Sequence, residues 1–196
     1  MKLPEPVSDG KRSLEGALNE RRSVRDYTGE SLSLAELAQL LWAAQGVTSA
    51  DGLRTAPSAG ALHPLETYVA AGRVDDLARG LYKYEPTGHA LTLVAGGDER
   101  TGLAAAALGQ TCVETAAAVI ALAAVYGRTT AKYGERGRRY VHMEAGHAAQ
   151  NVCLQAVAAG LGAVVVGAFE DRALRTALHL ARGEEPVGLV CVGRPR

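Results

Sequence analysis

"RRYVHMEAGHAAQNVCLQAVAAGLGAVVVGAF", residues 138–169, decides the fold class. Its first part carries Val141, Ala145, Ala148, Ala149, Val152, Ala156 and Val157 at helical spacing and ends at Gly160. Its last part, GAVVVGAF, is a β-branched apolar run that reads as a strand. Small residues dominate the helix, so another surface packs closely against it, either a sheet or a second copy of the chain.

Reading outward toward the C-terminus, EDRALRTALHL (170–180) is an amphipathic helix that starts with acids, as the helix macrodipole favours. PVGLVCVGRP (186–195) is a final strand. Toward the N-terminus, AVIALAAVY (118–126) is continuously apolar and reads as a strand buried on both faces, and 99–109 look helical. GLYKYEPTGHALTLVAG (80–96) reads as a hairpin around Pro86-Thr87-Gly88, and ETYVAAG (66–72) as a strand. SLAELAQLLWAAQG (33–46) is a helix, with a capping box from Ser33 to Glu36 and a stop at Gly46. Ser13 caps a shorter helix running to about Arg21, with Leu14 and Leu18 on one face. Residues 47–64 show no core-forming period and read as a loop or a short irregular helix, and a long loop in a compact domain is more often functional than decorative. The lysine–tyrosine segment AKYGERGRR (131–139) reads as an exposed, mobile stretch. Helices come before, between and after strands. The expected fold is therefore α+β, a mixed sheet flanked by helices, with an N-terminal arm at 1–12 and one domain over 13–196.

Composition narrows the function. The 196 residues are 47% hydrophobic and 21% charged, an ordinary globular balance. Lys+Arg and Asp+Glu both count 21, which argues against wholesale binding to nucleic acid or an anionic membrane. Cys112, Cys153 and Cys191 are odd in number and lack CxxC spacing, so buried, reduced thiols in a cytoplasmic protein are expected. The opening MKLPEPVSDGKRS has no apolar signal core, and the apolar run near 115–125 is too short to span a bilayer. GxGxxG, GxxxxGK[ST], GxSxG and HExxH are all missing. His142 and His147 stand five apart, which is not a helical ligand pair, so no metal site is expected.

Three short segments remain. RRSVR (21–25) gathers three arginines and a serine; PSAGAL (57–62) is small and turn-forming; Gly193-Arg194-Pro195 leaves the last strand. Arginine forks and a serine hydroxyl suit a phosphate monoester. Alone, an arginine cluster reads equally as a solvated face.

Together, RRSVRDYTGESLSLAELAQLLWAAQGVT, GLRTAPSAGALHPLETYV, HMEAGHAAQNVCLQAVAAGLGAVVVGAFED and EEPVGLVCVGRP resemble the nitroreductase-like flavoproteins. The nearest group is the SagB-type dehydrogenases, which include thiazole- and oxazole-forming oxidases. The resemblance implies an intertwined homodimer with FMN at the subunit interface. It gives Arg21, Arg22 and Ser23 to the FMN phosphate and ribityl end, with Arg194 closing that site. Arg25 would face the N1/O2 edge of the flavin, where a cation favours hydride uptake. Pro57, Ser58, Ala59 and Gly60 of the partner subunit would line the ring. Gln110 would read the N3/O4 edge, and Val166 and Gly167 would lie near N5. Lys132 and Tyr133 resemble a catalytic pair of the azoline oxidases. Phe169, Tyr126 and Tyr133 are candidates to border a substrate pocket, as is His63, which stands where the family commonly has tyrosine. The implied activity is hydride transfer through flavin N5, from NAD(P)H to a small acceptor. Two alternatives are peptide azoline oxidation and flavin binding without turnover.

Overall fold

The computed structural model describes residues 1–196. Six strands form one sheet: β1 (Leu65–Ala71), β2 (Gly80–Glu85), β3 (Ala90–Gly96), β4 (Ala118–Ala124), β5 (Gly162–Val166) and β6 (Glu185–Gly193). Their order is β3-β2-β1-β4-β6-β5, and all five neighbouring strand pairs run antiparallel. The fold is α+β, as expected; parallel pairing occurs only at isolated bridges, Ser23 to Ala163 and Leu32 to Val74.

Alternation along β4 explains its unbroken apolar sequence. Ala118, Ile120, Leu122 and Ala124 face one core, while Val119, Ala121 and Ala123 face another. Both sides of this central strand are buried, so a polar residue has no face to occupy. The first core is closed by α2 (Leu34–Gln45) and α6 (Arg136–Ala158), with α1 (Leu14–Glu20) packed on α6. The second lies under α3 (Arg100–Ala106), α4 (Thr111–Thr115) and α7 (Asp171–Ala177).

The small residues of α6 therefore meet the first core. Val141, Ala145, Ala148, Val152 and Ala156 are all buried, and their short side chains let the helix lie close to sheet and neighbour. The opposite face stays open: Gly146, His147 and Gln150 are exposed there, with Met143 at 54%.

Helix α2 begins as its capping box dictates. The Ser33 hydroxyl accepts from the Glu36 amide at 3.2 Å, and the Glu36 carboxylate accepts from the Ser33 amide at 2.8 Å. The helix ends where Gly46 turns extended (φ −61°, ψ 144°), and only glycine fits there because a Cβ would lie 2.1 Å from the Trp42 ring. The first residues are anchored: Leu3 is buried and donates its amide to His89 O at 2.9 Å, while the Leu91 amide donates to Met1 O at 2.8 Å. The stretch read as mobile, 131–139, covers the end of α5 (Tyr126–Tyr133) and the first turn of α6. No helix is long and apolar enough to cross a membrane.

Candidate functional site

The arginine-serine strip seats on the first residues of strand β5. Ser13 caps α1 by accepting from the Gly16 amide at 3.0 Å, and α1 closes where the Arg21 amide donates to Ala17 O at 3.0 Å. Beyond it the chain extends: Ser23 pairs with Ala163, and the Val24 amide donates to Ala163 O at 3.0 Å. Two glycines make this close approach possible. A Cβ on Gly162 would sit 2.6 Å from Val24 Cγ1, and one on Gly193 would sit 2.8 Å from Tyr27 Cδ1. The Tyr27 hydroxyl then donates to Val24 O at 2.8 Å and lies 3.2 Å from Cys191 O, tying the strip to β6.

The register places these candidates relative to β5. Gly193 pairs with Gly162 at the start of β5, so Arg194 emerges near Ser23. The strip touches β5 only there: Ser23 bridges Ala163, and by Tyr27 the chain has returned to the end of β6, where Tyr27 pairs with Pro195 and the Thr28 amide donates to Arg194 O at 3.0 Å, while Val166 and Gly167 lie at the other end of β5. The four steps from Gly162 to Val166 span about 13 Å at the rise of an extended strand. Cations thus mark one end of an elongated site and a bare glycine the other: a Cβ on Gly167 would meet nothing within 4 Å.

The charges of the strip are largely uncompensated. Arg21, Arg22 and Arg25 form no ion pair; Arg22 donates only to the Asn19 and Arg21 carbonyls, at 2.9 and 2.8 Å. Arg194 differs, since its guanidinium grips both carboxylate oxygens of Glu36, at 2.9 and 3.0 Å. An anion at this end shares Arg194 with Glu36. Gln110 is also committed: its amide nitrogen donates to Ala107 O and Ala168 O, both at 3.0 Å. Those bonds brace the turn after β5 and leave the Gln110 carbonyl oxygen as the free group.

The second group assembles elsewhere. The loop at Pro57–Gly60 winds tightly, with positive φ at Gly60 (65°), Ala61 (53°) and His63 (46°). The Ser58 hydroxyl supports the turn by accepting from the His63 amide at 2.9 Å. Lys132 and Tyr133, on α5, close over this loop. A Cβ on Gly60 would lie 2.8 Å from Tyr133 Oη and 3.0 Å from Lys132 Nζ, and the positive φ of 65° there also favours glycine. Tyr133 packs edge-on against Tyr140, centroids 5.2 Å apart. No hydrogen bond or ion pair joins this loop group to the arginine strip within one chain.

Sequence reading missed the support beneath the loop. Glu144, on the inner face of α6, is only 2% exposed. Burial pushes its carboxyl up to about 7, against the Ser58 hydroxyl bond and the Arg54 charge, which both favour ionisation. Arg54 donates to Gln45 Oε1 at 2.8 Å. His63 is held below the usual imidazole range by burial first, then by Arg54 and Arg128. Glu144 Oε1, His63 Nδ1 and Gln45 Nε2 are buried without partners. The available signal was a glutamate interrupting the otherwise apolar face of α6.

Comparison with known proteins places this geometry. A family model described as the nitroreductase family matches residues 18–194. The chain is 49% identical over 183 residues to MJ1384 of Methanocaldococcus jannaschii, which carries a nitroreductase name, covering 92% of this chain and 90% of that protein. A nitroreductase-titled crystal structure from Ralstonia eutropha JMP134 is 35% identical, with TM-score 0.87, covering 100% of this chain and 89% of that one. Another, from Anabaena variabilis, is 34% identical with TM-score 0.86; it covers 97% of this chain, which spans only 40% of the Anabaena chain. Two more share the fold alone. The E. coli microcin synthetase McbBCD complex with truncated pro-MccB17 is 24% identical with TM-score 0.80, covering 90% of this chain and 70% of that one. The NADPH:FMN oxidoreductase of Vibrio harveyi, complexed with NAD+, is 19% identical with TM-score 0.67, covering 93% of this chain and 68% of that one.

Proposed function

The chain belongs to the nitroreductase family of oxidoreductases, and from that premise we propose that it binds FMN as a homodimer and passes hydride from NAD(P)H to a small organic acceptor. The observation that carries this reading is the two ends of β5: Arg21, Arg22 and Arg25, none of them in an ion pair, flank Ser23 where it seats on the first residues of the strand, and open Gly167 follows the last. That arrangement suits a phosphate tail at one end and a flat ring at the other. Open backbone at Gly167 and unspent guanidinium groups at the strip fit the cofactor. The loop group supports the dimer, because Pro57–Gly60 sits away from the strip in its own chain and is free to cover the site of a second copy.

Bound FMN supplies a carrier that takes up and returns hydride at N5. The chain supplies the rest. Arg21 and Arg22 neutralise the phosphate, and the Ser23 hydroxyl donates to one of its oxygens. Arg25 sets a cation against the pyrimidine edge of the ring. Gln110 stiffens the turn that carries Gly167, whose missing side chain keeps the approach to N5 clear. Pro57–Gly60 of the partner subunit shields one ring face from water. Donor and acceptor then use the remaining face in turn, which predicts ping-pong kinetics. The test is anaerobic addition of NADH or NADPH to the yellow protein: bleaching of the flavin absorbance supports the reading, and an unchanged spectrum with both refutes it.

A second reading, azoline oxidation on a peptide, draws on Lys132 and Tyr133 against Gly60. There Lys132 and Tyr133 would line the peptide ring's site, and bound FMN would supply the hydride acceptor, with O2 as its oxidant. If an azoline peptide bleaches the flavin where the nicotinamides fail, and Tyr133→Phe abolishes that bleaching with flavin retained, this reading replaces the first.

A further inference from the structure

We propose that the cleft beside Gly167 is a binding site for a planar organic anion, a ring bearing a carboxylate or phosphate, which Arg139 and Arg172 hold. This deepens the preceding reading by naming a substrate class for the same site. The cleft has a volume of about 950 Å³ and lies between the first turns of α6, the turn after β5, α7 and the start of β6. A space of that size accommodates a small organic ligand.

Its floor is aromatic. Tyr126, nearly buried, and Phe169, the sole phenylalanine of the chain, both line it. Tyr126 is fixed by a 2.7 Å hydrogen bond between its hydroxyl and His142 Nε2. Gly167 adds no side chain, so the cleft opens directly onto the end of β5 where the flavin ring is proposed. One face of Tyr126 is taken by Arg138, and Phe169 beside an open backbone favours a flat ligand.

Its rim is cationic. Arg138, Arg139, Arg172 and Arg175 face only Asp171 and Glu185, an uneven balance in a chain whose charges cancel overall at 21 each. Two of the four are already engaged. Arg138 lies over the Tyr126 ring at 4.3 Å and 4.0 Å from Glu185, and Arg175 donates to Ala181 O at 3.2 Å. Arg139 and Arg172 make no ion pair and no side-chain hydrogen bond, although carboxylates stand in the same cleft. They approach from two different elements, α6 and α7, so they converge only in the folded chain. An arginine fork left free above an aromatic floor binds a carboxylate or phosphate bidentately.

The test is equilibrium dialysis of FMN-loaded protein against p-nitrobenzoate and its neutral counterpart p-nitrobenzamide, with bound flavin recorded for every sample. NADPH and NADH form a second pair. We expect p-nitrobenzoate to be retained about tenfold better than the amide, the scale of one charge-assisted hydrogen bond, and added salt to narrow the gap. Arg172→Glu and Arg139→Glu should each abolish that preference while amide retention and flavin content hold. A preference for NADPH over NADH that the same variants erase would place the anion on the hydride donor; a preference confined to the benzoate would place it on the acceptor. Equal retention within both pairs by flavin-loaded protein, or preferences that survive both variants, overturns this inference alone. A protein that takes up no flavin overturns the preceding reading as well.

Discussion

Gly162→Ala is a one-carbon change that separates a site built by backbone contact from one built by side chains alone. The added Cβ would lie 2.6 Å from Val24 Cγ1 and 2.7 Å from Val24 Cβ, against an ordinary carbon contact of about 3.5–4.0 Å. Neither atom is the far end of a flexible side chain, so the strip must move by about 1 Å. Overpacking of this kind costs about 1–3 kcal/mol. Loss of the bond from the Val24 amide to Ala163 O adds about 1 kcal/mol. A lower entropy of the unfolded chain offsets roughly 0.4–1 kcal/mol. The net loss is about 1–3.6 kcal/mol, which lowers Tm by about 2–14 °C in a domain of this size. Ser23 moves with Val24, so FMN retention should fall about tenfold, equivalent to about 1.4 kcal/mol. Gly102→Ala, in α3 with nothing within 4 Å of its Cβ, is the control and should raise stability by about 0.5–1 kcal/mol. Thermal unfolding and FMN titration of both variants decide the matter. A Gly162→Ala protein with unchanged Tm and flavin affinity would show that the strip does not depend on its seat against β5.

Two further outcomes follow from the core and the loop support. Ile120→Ala empties a position that is 0% exposed in the first core and should cost about 3–4 kcal/mol in denaturant unfolding, with FMN still bound by the fraction that remains folded. The Glu144 carboxyl is raised from 4.5 to about 7, so the folded state holds a proton that the unfolded state has released. Stability contributed by that proton is fully present below about 4.5 and is lost as pH rises through about 7, a fall of about 3 kcal/mol. Glu144→Gln should flatten this slope in urea melts taken between those pH values; an unaltered slope would remove Glu144 as its source.

Much of the architecture was legible because its signals are local. The Ser33–Glu36 capping box, the doubly buried run of β4 and the turn at Pro86-Thr87-Gly88 each specify their element within a few residues. Helix α5 was not legible: YGRTTAKY mixes glycine with two β-branched threonines, and its order comes from contact with the loop at Gly60 and with α6. The strand read over GAVVVGAF stops at Val166, because the turn held by Gln110 begins there. Arg21, Ser23, Gly167 and Arg194 were expected from a resemblance carried by four separated motifs, whereas the seating of Ser23 on Ala163 and of Gly193 on Gly162 needed the structure. Glu144 and the pair Arg139 and Arg172 carry no motif. Only burial distinguishes the first, and only convergence of two helices the second.

The central claim is that the strip beside β5 holds FMN, and titration of flavin-free protein with FMN, followed by quenching of flavin fluorescence, tests it most directly. The wild type should saturate at one FMN per chain, and Arg21→Ala should weaken binding about tenfold or more through loss of a charge-assisted phosphate contact. No saturable binding by the wild type, or equal affinity in the variant, would contradict the account.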